Sequence, residues 1–337
     1  MKKNIEFIIS VLLIFITSNI IAQEARVTIR VADELGVVIS NATVNAGFST
    51  LIQPGWGWGG GKPNRVTGQT DTNGICILDG RGNGGSVGIS AMKDSYYPSG
   101  GYCIDFTNLT GGVVKKWEPW NPTVEITLKK KVNPIPMYAK WVRDAMIPAD
   151  GQPVGFDLMK GDWTQPQGRG ENADIFFRLD RQPEREVMRY WGKQPRPQKL
   201  FDITLYVSFP NEGDGIRSVF IPLLAGGSSL HLPAVAPEKD YITNIVKRIY
   251  QTENQPSHSD VREDQNYFFR IRTKKDDKGN IVSAFYGKIY GDFSGFDYGK
   301  LTFRYYLNPT PNDRNMEFDP KRNLFKNLKS TEEVREP

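Results

Sequence analysis

The stretch NYFFRIRTKKDDKGNIVSAFYGKIYGDF, residues 266–293, predicts two aromatic-rich β-strands joined by the turn DDKGN. A polar turn that contains Gly between two apolar runs is typical of a β-hairpin. Period-two alternation divides the first strand into two faces, Tyr267, Phe269 and Ile271 against Phe268, Arg270 and Arg272. KLTFRYYLNP, residues 300–309, supplies a third strand. This half of the chain is therefore predicted to form an antiparallel sheet.

The N-terminal third has the same period-two character. RVTIRV at 26–31 and NATVNAGF at 41–48 alternate apolar and polar residues, and the turn at Asp71, Asn73 and Gly74 precedes another apolar strand. The chain has 337 residues with 33 Gly, 22 Pro and 12% aromatic residues, a composition that favours strands and turns in more than one domain. We expect an all-β protein of two β-sandwich-like domains.

The domain boundaries follow from composition. Residues 23–131 are expected to form a small sandwich, and VNPIPM at 132–137 is a stiff linker or the first edge of a second domain. Residues 132–310 are then a larger antiparallel β domain of unknown family, and residues 311–337 a polar C-terminal tail whose last residues fray.

The first domain resembles a known family. The order VTIRVADELGVVISNATV, GQTDTNGICIL and VGISAMKDSYYPSGGY, within residues 26–131, is similar to carboxypeptidase regulatory-like domains, with a D-x-x-G turn, an A-x-V strand and a T-D-x-x-G hairpin. The resemblance implies a transthyretin-like, Ig-like sandwich and a role as an accessory or surface module, with no catalytic residues. Two insertions, PGWGWGGGKPNR at 54–65 and residues 99–121, depart from the family pattern.

The first 22 residues predict export. Lys2 and Lys3 precede the apolar run FIISVLLIFI, and Ala22 is a small residue before a cleavage point, the pattern of a signal peptide. An uncleaved N-terminal anchor is the alternative, because Ile20 and Ile21 prolong the apolar run. No other segment of the sequence is apolar enough to predict a transmembrane span, so we expect a periplasmic, surface or secreted protein.

Charge argues against nucleic acid as a partner. The net charge is +5, and +4 on the 315 residues after residue 22, without a concentrated basic patch. The glycines of residues 54–65 match a dinucleotide loop in spacing, but Pro63 and the strand after it leave no helix to bind a phosphate. We therefore expect no nucleotide cofactor.

The residue types that usually carry catalysis do not form a pattern that predicts an enzyme. Only two His are present, no G-x-S-x-G motif occurs, and two Cys with two His are too few for a zinc site. We expect an exported, non-catalytic surface or envelope protein that binds glycan or assembles with other proteins. The alternative is a secreted glycan-active or peptidase-like enzyme with an N-terminal accessory sandwich.

Two groups of residues are candidates for binding. Trp56 and Trp58 either form a stacking platform for sugar rings or pack onto the protein. The reverse face of the predicted sheet collects cations among aromatic rings, Arg270, Arg272, Lys288 and Arg304 with Tyr286, Tyr290 and Tyr306. Such a face suits an acidic polysaccharide, and its alternative is an ordinary solvated sheet face or an interdomain contact.

Two further expectations concern metal and redox chemistry. Hard oxygen donors that calcium prefers cluster near the C-terminus, Asn312, Asp313, Asn315, Glu317 and Asp319, but their spacing matches no complete loop and simple turns are the favoured explanation. Cys76 and Cys103 are the only cysteines, both in the first domain of an exported chain. We therefore predict a disulfide between them, with two unpaired thiols as the alternative.

Overall fold

The computed structural model describes residues 23–49, 63–82, 84–111, 115–191, 194–221, 226–253 and 255–337. Within those ranges the chain is all-β, with strands and two 3₁₀ turns, which confirms the predicted fold class. It divides into two compact units, one of residues up to Asp94 with Pro98–Leu128, the other of Ser95–Tyr97 with Lys129–Pro337. None of the described helices is long and apolar enough to cross a membrane.

Ten strands lie in the described part of the N-terminal third. They are β1 Gln23–Asp33, β2 Thr43–Phe48, β3 Asn64–Gln69, β4 Ile75–Gly82, β5 Ser86–Met92, β6 Tyr96–Tyr97, β7 Ser99–Asp105, β8 Asn108–Thr110, β9 Lys116–Glu118 and β10 Thr123–Lys130. One sheet of the first unit contains β10, β1, β9 and β8 in that order, with β4 also paired to β1. The other contains β7, β5, β2 and β3.

The two sheets of the first unit bury the apolar positions of their strands against each other. Alternation places Val27, Ile29 and Val31 of β1 and Val44 of β2 in the interior. Gly80 of β4 lies against the ring of Phe48 of β2, since a Cβ on Gly80 would come within 1.9 Å of that ring. Asp71 begins the predicted turn, because its carboxylate accepts hydrogen bonds from the amides of Asn73 and Ile75.

The predicted disulfide is wrong, because both cysteines are free. Strand alternation places Cys76 of β4 in the interior beside Leu78, while its neighbour Ile77 is exposed. Cys103 is exposed on β7, a strand of the opposite sheet. One thiol therefore faces the core and the other the solvent.

The second unit contains the remaining strands. They are β11 Tyr138–Met146, β12 Val154–Asp157, β13 Asp162–Trp163, β14 Ile175–Arg181, β15 Arg185–Trp191, β16 Gln194–Ser208, β17 Gly215–Phe220, β18 Gly227–Ser228, β19 Asn244–Thr252, β20 Gln255–Ser259, β21 Gln265–Lys275, β22 Ile281–Ser294 and β23 Lys300–Leu307. The 3₁₀ turns are Phe296–Tyr298 and Pro320–Arg322.

Two sheets of the second unit pack around an aromatic core. One has the order β11, β23, β22, β21 and β17, and the other has the order β13, β12, β14, β16, β19 and β20, with β15 paired to β16. Phe156 and Phe177 of the second sheet contact Phe303 of the first, with ring centroids 5.7 Å apart in each pair. Edge and tilted contacts of this kind suit the charge distribution of aromatic rings.

A second core lies on the reverse face of the sheet that contains β21, β22 and β23. Phe268, Tyr290 and Tyr306 are buried there against Leu232 and against three residues of the C-terminal segment, residues 311–337. These three are Met316, Phe318 and Val334. The C-terminal residues predicted to fray are instead packed, since the amide of Trp141 donates to the carbonyl of Glu332 at 2.9 Å. The sheet is therefore covered on both faces.

Candidate functional site

The candidate site is a groove beside Trp141, a residue of β11. Trp141 lies directly across from Arg304 of β23, and the Arg304 guanidinium carbon is 4.6 Å from the centroid of the indole ring. Arg143, two residues further along β11, places its guanidinium carbon 4.9 Å from the same ring. Planar guanidinium groups stack favourably on indole, so the ring holds both cations beside the groove.

The C-terminal segment forms one wall of this groove. Lys140 pairs with Glu332 at 3.1 Å, and Arg304 pairs with Glu336, so the segment is held beside β11 and β23. Between the strands and the segment lies a concavity of about 330 Å³, lined by Trp141, Arg143, Arg304, Ser330, Thr331, Glu333, Val334, Arg335 and Glu336. Its size is at the lower end of the range for small-ligand sites.

A second concavity of about 250 Å³ shares Trp141 and Arg304 with the first. Asp292 lines it and accepts hydrogen bonds from the Lys247 amine at 2.7 Å and from the Tyr267 hydroxyl. Burial, followed by the nearby Asp292 carboxylate, raises the pKa of the Tyr267 hydroxyl far above its ordinary value, so Tyr267 stays a donor. The amides of Arg262 and Phe293 also donate to Asp292. This carboxylate is engaged in structural contacts.

The charges around the groove leave one cation unneutralised. Arg335 pairs with Glu333 at 3.1 Å, but within the described ranges Arg143 has no carboxylate at ion-pair distance. The buried Nε of Arg304 likewise lacks a hydrogen-bond partner among the residues the structure covers. That atom is enclosed by the protein, so Arg143 is the cation that the groove presents to a ligand. The groove therefore presents one guanidinium without a carboxylate partner among the described residues, a group suited to pairing with an anion.

Most of the predicted basic and aromatic face is buried in the second core. Tyr286 and Tyr290 are 6% and 8% exposed, and Tyr306 and Lys288 are 0% exposed. The predicted division into two faces is correct for these residues, but the C-terminal segment covers their face. Arg304 and Tyr290 are the members of the predicted set that line the two concavities. Glycan binding by the set as a whole stays a prediction.

Arg270 and Arg272 depart from their predicted surroundings. Arg270 is 9% exposed and donates to the carbonyls of Gly213 and Glu238. The backbone of Arg272 is left-handed, with φ of 51°, where the pairing of β21 and β22 shifts register. This irregularity breaks the alternation, and the guanidinium of Arg272 pairs with Asp174 at 2.7 Å and with Asp157 at 3.1 Å.

The buried pair of carboxylates beside Arg272 is fully hydrogen-bonded. Asp157 accepts four amide hydrogen bonds, from Met159, Lys160, Glu171 and Asn172. Burial raises the pKa of the Asp174 carboxyl in spite of its contacts with Arg272. These groups stabilise the fold rather than form an open site.

The candidate calcium ligands make hydrogen bonds within the protein, some in local turns and some to distant segments. Asn315 and Asp313 accept hydrogen bonds from the amides of Glu317 and Asn315, and Asp319 accepts from the amide of Lys321 and from Arg322. Glu317 accepts from the Tyr97 hydroxyl and the amides of Val132 and Asn133. In the part of the chain that the structure describes, no three His, Cys, Asp or Glu residues come together as a metal site.

Other predictions fall where the structure gives no description. The signal peptide at residues 1–22 and the pair Trp56 and Trp58 lie outside the described residues. Their proposed roles stay predictions.

Trp141 and Arg143 were not among the residues predicted from the sequence. Both lie in YAKWVRD, residues 138–144, directly after the linker VNPIPM. Period-two alternation in that stretch places Trp141 and Arg143 on one face of a strand, which was a usable signal. Their partner Arg304 was predicted as a binding residue, but the pairing of β11 with β23 joins residues more than 150 positions apart in the chain.

Comparison with known proteins identifies no family. No family model and no curated protein matches the chain. Among solved structures, it is similar to 3-chlorocatechol 1,2-dioxygenase from Rhodococcus opacus 1CP, at 12% identity and a TM-score of 0.23, over 32% of this chain and 61% of that one. It is also similar to a mutant of Acinetobacter radioresistens catechol 1,2-dioxygenase, at 10% identity and a TM-score of 0.24, over 35% of this chain and 55% of that one.

In both matches, less than two thirds of the other chain is covered. At these TM-scores the likeness supports no conclusion about activity.

Proposed function

We propose that the protein is an exported, non-catalytic surface or envelope protein that binds an acidic glycan in the Trp141 groove. Its N-terminal part would be a carboxypeptidase regulatory-like sandwich that serves as an accessory module. Export follows from the signal-peptide pattern of residues 1–22. The observation that carries the binding proposal is the Arg143 guanidinium, stacked on Trp141 beside a concavity and lacking a carboxylate partner within the described ranges.

The chemistry of the groove suits a sugar that bears a carboxylate. Arg143 supplies a guanidinium for a bidentate contact, and the hydroxyls of Ser330 and Thr331 line the same concavity as hydrogen-bond partners for sugar hydroxyls. The apolar surface of Trp141 supplies area for a sugar ring. Asp292, the buried acid of the neighbouring concavity, is already hydrogen-bonded by four donors and offers no free carboxylate for acid–base catalysis.

The proposal is tested by titration of the full chain with oligomers of galacturonic acid and with matched neutral galactose oligomers. We expect binding of the acidic series alone, weakening as NaCl rises from about 0.05 to 0.3 M because salt screens an exposed cation. Arg143→Ala and Trp141→Ala should each weaken binding about tenfold, the loss of one charge-assisted contact or one stacking surface.

The matched control removes an exposed arginine elsewhere in the second unit. Arg196→Ala on β16 changes the net charge by the same amount and should leave affinity unchanged. Equal affinity for neutral and acidic oligomers, or an equal effect of Arg143→Ala and Arg196→Ala, would contradict the proposal. Cleavage of the bound oligomers would favour the secreted, glycan-active enzyme instead.

A second candidate function is assembly with other proteins through the ribbon formed by β15 and the first part of β16. Val187 and Gln198 are partly exposed, and the other described side chains at 185–189 and 194–199 are exposed. Pro195 and Pro197 pair with Tyr190 and Met188 along the ribbon. Because proline has no amide hydrogen, the first part of β16 is a poor edge for another strand. Among the described strands β15 pairs only with β16, which leaves its other edge open.

Light scattering coupled to size-exclusion chromatography tests this candidate. If the β15 edge mediates self-assembly, Met188→Pro should dissociate the oligomer, because it removes an amide hydrogen from the open edge. Gln198→Ala within the same ribbon is the control. A monomeric wild-type protein would exclude self-assembly by this route.

A further inference from the structure

The first unit contains a separate concavity beside Trp120. It measures about 510 Å³ and is lined by Glu24, Arg26, Asp79, Gly80, Arg81, Lys116 and Trp120. Strands β1, β4 and β9 contribute these residues, apart from Trp120, which follows β9 in the chain. Trp120 was not among the binding residues predicted from the sequence.

Local hydrogen bonds hold Trp120 in place. Its amide donates to the carboxylate of Glu118 at 2.7 Å, and Glu118 also accepts from the Thr110 hydroxyl. The next residue, Asn121, accepts from the Thr28 hydroxyl at 2.9 Å. The backbone that carries Trp120 is therefore held in place without a ligand, which reduces the entropy that binding must overcome.

The charges at this concavity are paired, with one exception. Arg26 makes two hydrogen bonds to Asp79, at 2.6 and 3.0 Å, and Arg81 pairs with Glu24 at 3.1 Å. Lys116 lies across from Glu24 in the strand pairing, yet its amine contacts the Trp120 ring, 4.7 Å from the centroid. No carboxylate is within ion-pair distance of Lys116 in the described portion of the chain.

The Trp120 concavity and the Trp141 groove thus share three chemical features. Each has an indole ring contacted by two cations, one cation without a carboxylate partner within the described ranges, and ion pairs among the other charged lining residues. Arg26 provides the second cation at Trp120, 5.5 Å from the ring centroid. The same ligand chemistry, a carboxylate attached to a ring with hydroxyl groups, is suited to both.

We propose that the Trp120 concavity is a second acidic-sugar site, in which the Lys116 amine binds the carboxylate and Trp120 contacts the sugar ring. The carboxylates of Asp79 and Glu24 accept hydrogen bonds from sugar hydroxyls while they stay paired with Arg26 and Arg81. This inference rests on the proposed function for the class of ligand. The choice of residues does not depend on it. The chain then carries one acidic-sugar site in each unit.

The experiment follows the indole N–H resonances of the full ¹⁵N-labelled chain during titration with galacturonic acid oligomers. Each resonance is assigned by replacing its tryptophan with Phe. We expect saturable shifts of the Trp120 and Trp141 signals, each with its own Kd. The Trp117 signal should stay unchanged, because that indole donates to the Gly82 carbonyl at 3.1 Å and does not line the concavity.

Variants separate the two sites. Lys116→Ala should weaken binding at Trp120 about tenfold and leave the Kd at Trp141 unchanged, whereas Arg143→Ala should do the reverse. Lys115→Ala, at the neighbouring exposed lysine that does not line the concavity, is the matched control for Lys116→Ala. The two lysines differ by one position and carry the same charge.

Each outcome distinguishes this inference from the proposed function. Shifts at Trp141 without shifts at Trp120 would overturn the second site and leave the proposed function standing. Shifts at Trp120 alone would support the second site and overturn the Trp141 groove. The absence of both, or an equal effect of Lys115→Ala and Lys116→Ala, would overturn the Trp120 site.

Discussion

The amine of Lys288 donates a hydrogen bond to the hydroxyl of Tyr290 at 3.0 Å inside the second core. The same amine donates to the Met316 carbonyl at 2.7 Å and lies 4.7 Å from the ring centroids of both Tyr290 and Tyr306. Burial lowers the pKa of the Lys288 amine well below its usual value of 10.5; the Glu317 carboxylate opposes this shift and Lys129 adds to it.

The substitution Lys288→Met should abolish one contribution to the pH dependence of the free energy of unfolding. Between the lowered native pKa and 10.5, the unfolded chain binds one more proton at Lys288 than the native chain does. The free energy of unfolding should therefore rise with pH in this window by about 1.4 kcal/mol per unit. Relative to the variant, the wild type should lose that stability as pH falls, as measured by urea unfolding at several pH values between 7 and 10.

Lys278→Met in the exposed turn between β21 and β22 is the control. Its free energy of unfolding should differ from that of the wild type by the same amount at every pH. Parallel stability curves for the wild type and Lys288→Met would show that Lys288 is charged in the native protein.

The two cysteines should react at different rates. Cys103 is exposed, whereas Cys76 is 5% exposed, and burial is the main cause that raises the pKa of each thiol. Alkylation of the native chain without reductant should therefore add one group rapidly at Cys103, and a second group at Cys76 only on unfolding. Intact mass and peptide mapping measure this. If the native chain resists alkylation until it is reduced, the two cysteines form a disulfide after all.

Arg272→Ala should destabilise the second unit strongly. It removes the guanidinium that pairs with Asp157 and Asp174, each 1% exposed. Leaving buried carboxylates unpaired should lower the free energy of unfolding by about 3 kcal/mol. Arg335→Ala, at an arginine whose side chain is 79% exposed, should change it by less than about 0.5 kcal/mol. Equal midpoints in urea for the two variants would refute the structural role of Arg272.

Gly287→Ala tests the packing of β22 against β21. A Cβ at Gly287 would lie 2.1 Å from the Phe269 ring and 2.4 Å from the Tyr306 carbonyl oxygen. Because one of these atoms is backbone, relief requires a shift of the sheet, and we expect a loss of about 3 kcal/mol in unfolding free energy. Gly88→Ala on β5 is the control, since a Cβ there meets nothing within 4 Å. A thermal midpoint for Gly287→Ala as high as that of Gly88→Ala would contradict the packing.

Local sequence patterns determined the strands between residues 266 and 307 and most of their faces. Tyr267, Phe269 and Ile271 all lie in the first core as predicted, and Phe268 lies with Tyr286 in the second. Side-chain direction along a strand has a period of two, so neighbouring residues carry this information. The hairpin turn at Asp276 is equally local, because its carboxylate binds the amides of Lys278 and Asn280.

Only the tertiary structure decided which of these faces meets solvent. Lys288 and Arg304 occupy equivalent predicted positions, yet Met316 and Tyr290 enclose the first, while the second contacts Trp141 at the groove. Arg272 left its predicted face because a bulge with a left-handed backbone interrupts β21. Covering segments and cross-strand partners come from residues far apart in the chain, and burial is a property of the whole packing that no local period encodes.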